Sequence, residues 1–196
     1  MKKLILPIVL IAVGGMLFIS GCNNYNAFVE IDEDVENAWS KVQSAYQRRA
    51  DLIPNLVNTV KGVADFEKST LTAVQEARSK ATSMNVDASN LSPEQIKQFQ
   101  QAQSGLSQTL GRLLMVSERY PQLQANQSFR ELQVQLEGTE NRIKVARDRY
   151  NDVVTNYNKK IRRFPGTIYA SMFGFDERGQ FEAEASAQDA PEVNFD

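Results

Sequence analysis

Histidine is missing from all 196 residues, and cysteine occurs once, at Cys22. Without histidine the chain cannot assemble a Ser-His-Asp or Cys-His nucleophile pair or a His-ligated zinc site, and it lacks the commonest general acid and base. A lone cysteine excludes an intrachain disulfide and any CxxC motif. A surplus of positive charge is missing too. The 22 Lys and Arg stand against 24 Asp and Glu, a net charge of −2, which gives no basis for nucleic-acid binding. Carboxylate, lysine or tyrosine chemistry remains, and none of it leaves a pattern here. The residues therefore point to no catalytic group, no metal ligand and no cofactor, and the expectation is that the protein is not an enzyme.

A long apolar run is nearly missing as well. Met1-Lys2-Lys3 precedes 16 apolar residues, Leu4 to Ile19, interrupted by Pro7, Gly14 and Gly15 and followed by Ser20-Gly21-Cys22. A bilayer span wants about 20 apolar residues. A basic start, apolar middle and small residues at the end read as an export signal over residues 1–21, with a retained membrane helix as the alternative. Ile19-Ser20-Gly21-Cys22 resembles a bacterial lipobox, which makes Cys22 the expected lipid attachment site. Either reading places the chain at a membrane through its N-terminus. Asn23 is not the aspartate that holds lipoproteins of enteric bacteria at the inner membrane, so the resemblance leaves both the cell membrane and the outer membrane open.

From Tyr25 onward apolar residues recur at helical spacing, and the expected fold is all-α: an antiparallel up-down four-helix bundle with helices near 25–50, 52–81, 93–118 and 127–163 and a short C-terminal segment. The bundle domain is read over 22–181, and residues 182–196, with five acids and no base, as a disordered tail. Ser92-Pro93-Glu94-Gln95 supplies a helix start with a capping-box glutamine, and Ser128 with Glu131 offers another. Arg48-Arg49-Ala50-Asp51-Leu52-Ile53-Pro54-Asn55 interrupts the pattern. It reads either as a bend in one long helix or, preferred here, as a reversal with Asp51 as N-cap and Pro54 in the next first turn. Arg49 falls where the heptad of Phe28, Val35 and Val42 expects an apolar residue. An inward arginine needs a partner, for which a carboxylate such as Glu140 would serve.

Tyr25-Asn26, Trp39-Ser40, Gln47 to Val57, Tyr120-Pro121, Ala125-Asn126, Thr139 to Ile143, Arg147 to Asn151 and Phe164-Pro165 together resemble the signature of the bacterial LemA family. The resemblance implies a four-helix bundle attached to a membrane through its N-terminus, with no established activity and no catalytic residues to carry over. A membrane-anchored, non-catalytic scaffold or adaptor of the cell envelope follows as the expected function, lying outside the cytoplasm. A lipid- or peptide-binding bundle, with Ile168 to Phe181 as the contact, is the alternative, and a carboxylate hydrolase a weaker one. On the up-down topology Arg48, Arg49, Asp51 and Asn55 meet Tyr120 and Gln122 at the membrane-distal end. These six residues form the expected surface for a partner, another envelope protein.

Overall fold

A proline inside a helix removes one main-chain donor and orphans the carbonyl four residues earlier. For Pro54 that carbonyl belongs to Ala50, and the side chain of Arg78 donates to it through Nε at 2.9 Å. The helix therefore passes through Pro54 instead of ending there. In the computed structural model, which describes residues 2–62 and 66–183, α1 runs unbroken from Lys2 to Lys61. The expected reversal at Arg48 to Asn55 is thus corrected: α1 ends at Lys61, and α2 (Lys68–Ser83) begins beyond residues 62–67.

The remaining elements follow their sequence signals closely. Helix α3 spans Pro93–Ser117, with Ser92 Oγ accepting from Gln95 N at 3.4 Å and Pro93 at the first helical position. The reciprocal glutamine bond of a capping box is not formed, since the buried Gln95 Oε1 has no donor among the described residues. A short α4 (Pro121–Ala125) leads to α5 (Gln127–Arg162), whose cap is Asn126, not Ser128: its Oδ1 accepts from Phe129 N at 3.2 Å. Helix α6 is Gly166–Phe173. All regular structure among the described residues is helical. Residues 184–196, most of the expected acidic tail, lie outside the described residues.

Helix α5 packs along α1, and α2 against α3. Two apolar cores result. One gathers Phe28, Trp39, Val42, Phe99, Tyr150 and Tyr157 with the loop residues Val86 and Leu91. The other, farther along α1, gathers Ile53, Leu56, Val57, Leu106, Leu113 and Phe129. Each such side chain taken from water stabilises the fold by about 1.5–3 kcal/mol.

The first core is closed by residues 174–183, which lie extended across it as a strap. Gly174, at φ 77°, ends α6 in the left-handed region where glycine carries no penalty. Side-chain amides then grip the strap's main chain: Asn158 takes both the N–H and the C=O of Arg178, and Asn151 those of Phe181. Gln100 grips Glu182 in the same way. Tyr150 and Tyr157 donate to the carbonyls of Gly179 and Asp176, each at 2.9 Å. Phe181 sits buried with its ring stacked 6.1 Å from that of Trp39. A Cβ on Gly179 would stand 2.6 Å from Pro93 Cα, so only glycine fits that crossing.

Candidate functional site

Between the two cores lies a polar layer built on Arg49, which is 1% exposed. Its Nη1 donates to Glu140 Oε1 at 2.9 Å and to Ser107 Oγ at 2.8 Å, and its Nη2 to Gln103 Oε1 at 2.7 Å. Gln103 Nε2 in turn donates to Ala81 O at 3.2 Å, so the layer ties together α1, α2, α3 and α5. The guanidinium also lies 5.0 Å over the Tyr46 ring. Burial pushes the Tyr46 hydroxyl above its ordinary value, with Arg147 and Arg49 pulling against the shift. Glu140 is half-exposed, so water shares in holding its charge. The carboxylate partner expected for an inward Arg49 is thus Glu140 itself.

The other expected surface residues lie on two different elements. Arg48, Asp51 and Asn55 are exposed along the side of α1. Arg48 lies thirteen residues, about 20 Å, before the end of that helix. Tyr120 and Gln122 sit around the start of α4, the Tyr120 ring 5.0 Å from that of Phe66, which lies between α1 and α2. With no reversal at Pro54, the two motif-dense stretches do not form a single turn cluster. Cys22 is an exposed free thiol on α1.

What the structure brings together instead is a groove of about 550 Å³ between α1 and α5. Its floor is made of small side chains such as Ala38, Ala45 and Ala146, and its rim carries Lys41, Arg48, Arg142 and Arg149, with no carboxylate in the lining. Only Arg48 of these was anticipated. The signal was present, since Lys41 and Arg48 are seven residues apart, as are Arg142 and Arg149, and that spacing puts each pair on one face of its helix. A net charge near zero hid it.

Carboxylates converge less usefully. Glu140, Asp148 and Glu182 line one hollow, but Lys144 and Arg147 interleave with them and Arg49 holds Glu140. Among the described residues no group of three His, Cys, Asp or Glu side chains is arranged to hold a metal ion. Nor is any helix, over those residues, long and apolar enough to cross a membrane.

Comparison with known proteins adds the lineage. The chain is 29% identical over 188 residues to magnetosome protein MamQ 2 of Paramagnetospirillum magneticum, covering 85% of this chain and 67% of that protein. Magnetosome protein MamQ of Magnetospirillum gryphiswaldense matches over the same shares at 28% identity. Protein LemA of Metamycoplasma hominis is 26% identical over 150 residues, 76% of this chain and 65% of its own length. The model of the LemA family matches residues 38–195, from the Trp39 region of α1 through the strap and beyond, and the chain belongs to the LemA family.

Proposed function

We propose that this protein is a membrane-anchored, non-catalytic scaffold of the bacterial envelope that docks an acidic segment of a partner protein in the α1/α5 groove. The carrying observation is that groove's lining: four cations, no carboxylate and a floor of small side chains. Small residues let another chain approach closely, and a rim of one sign favours an acidic partner and disfavours a basic one. Helices α1, α2, α3 and α5 are read as an antiparallel up-down bundle, supported by the pairing of α1 with α5 and of α2 with α3. The anchor is read as a lipid on Cys22, supported by its exposure and by the short apolar run before it. The bundle then stands outside the cytoplasm, at the cell membrane or the outer membrane.

A photo-crosslinking residue at the exposed Val145, beside the groove, tests the docking in cells. An adduct to an envelope protein that disappears in Arg48→Glu/Arg142→Glu, with helicity unchanged, is expected. Absence of any adduct, or one indifferent to the reversal, removes the docking reading. Metabolic palmitate labelling tests the anchor separately: label and membrane retention are expected to be lost in Cys22→Ser, and an unlabelled wild type rules out the lipid.

A further inference from the structure

Exposed large hydrophobic side chains are concentrated at one end of the molecule. Over residues 14–16, 19–62 and 66–183 ten are exposed, and seven of them belong to the first part of α1 or to α6 and the residue two before it. Met16 and Ile19 belong to the expected export signal of residues 1–21, but Phe164, Ile168 and Met172, which follow Cys22, are 81%, 52% and 67% exposed. A scatter of single apolar residues is ordinary, whereas a contiguous patch marks a contact surface. Contiguity comes from packing. Helix α6 lies against α1 through Tyr25 and Phe173, with ring centroids 5.1 Å apart, and through Tyr169, whose ring lies against Gly21. Helix α6 buries only Gly166 and Ala170, leaving Ile168 and Met172 turned outward.

The charge beside this patch is of one sign on its own element. The last turn of α5 and the residue after it carry Lys159, Lys160, Arg162 and Arg163 immediately before Phe164. Two of these have contacts within the chain: Lys160 Nζ donates to Ala27 O at 3.1 Å, and Arg162 meets Glu177 at 3.4 Å. Lys159 and Arg163 are exposed.

We infer that α6 is an interfacial helix, lying in the bilayer surface with Phe164, Ile168 and Met172 among the acyl chains and Lys159 and Arg163 at anionic headgroups. An apolar face collared by bases is what such a surface takes. A further consideration selects lipid over a second copy of the chain: a symmetric contact would bring the two sets of bases together. The inference rests on the proposed membrane placement and adds a second point of attachment, on a different helix from Cys22.

The test uses the full chain with Cys22→Ser and Met172→Cys, labelled at residue 172 with an environment-sensitive dye and added to vesicles of equal phosphatidylglycerol and phosphatidylcholine. The expected result is a blue-shifted emission quenched by spin-labelled lipid. A control dye at the exposed Val134, on α5, stays as in buffer. An unshifted signal at 172 overturns the inference, whether or not the chain floats with the vesicles. So does a shift that lipid probes leave unquenched and that grows with protein concentration, which would mean a second copy covers the face. Lys159→Glu/Arg163→Glu is expected to weaken partition into these vesicles by at least about tenfold, and unchanged partition removes the headgroup contacts. Because Cys22 is absent throughout, failure here leaves the palmitate result standing, and the reverse also holds.

Discussion

Arg49 and Arg78 do related work at adjacent levels of α1: one fills a polar layer, the other supplies the donor that Pro54 lacks. Replacing Arg49 by alanine should cost roughly 3 kcal/mol in urea unfolding, because Gln103 and Ser107 lose a charged partner in a buried setting. Replacing Glu140 by alanine should cost a similar amount, about 2–3 kcal/mol, because it leaves the buried Arg49 guanidinium with neutral acceptors only. Arg78→Ala leaves Ala50 O without its donor and should destabilise by about 1–3 kcal/mol. Pro54→Ala returns a main-chain N–H to that carbonyl, so the double variant should recover most of the loss, a coupling that a double-mutant cycle measures. The tyrosines set an alkaline limit. Burial first, then the Asp32 charge, pushes the Tyr157 hydroxyl up to about 12, and burial raises Tyr150 as well. Unfolded tyrosine ionises near pH 10, so above that pH the unfolded chain releases protons that the folded chain keeps. The contribution is whole below pH 10 and falls as pH rises toward 12. Urea midpoints at pH 9, 10 and 11 should drop in that order, and less steeply in Tyr157→Phe.

At the scale of elements, the strap is the part whose removal should be felt most. Phe181→Ala opens a space beside Trp39 and Tyr150 and should cost about 3–5 kcal/mol. Gly179→Val should be comparably harmful through its approach to Pro93, with limited proteolysis between 174 and 183 as the readout for both. Helices α3 and α5 were legible to within a residue or two, because caps and apolar stripes are local signals. The reversal was misplaced for the opposite reason: the donor that lets α1 continue past Pro54 is 28 residues downstream of the carbonyl it serves, on α2. Phe181 could be seen as apolar, but nothing local says that Asn151, Asn158 and Gln100 would hold the main chain around it. The groove was half legible. Its two pairs of bases each repeat at seven residues, yet only the packing of α5 along α1 joins them.

For the molecule as a whole, the uninterrupted α1 matters beyond its reach of about 60 Å from Cys22 to Lys61. A helix fixes angle as well as height, each residue turning the chain by about 100°. Cys22 and the outward face of α6 are therefore set at a definite bearing to one another around a single axis. One alanine inserted between Asn23 and Asn24 would swing Cys22 by about 100°, whereas four would bring it to within about 40° of its starting direction. On the lipid readings of Cys22 and α6, in chains that keep an acylated Cys22 and carry the dye at Met172→Cys, the single insertion should pull the dye out of the bilayer and the fourfold insertion should largely return it. Lipid quenching in the two insertion variants measures this, and equal quenching would show that the bearing does not matter. On those two proposals the body is held less like a float on a tether than like a key in a lock, admitted to the membrane surface at one rotation.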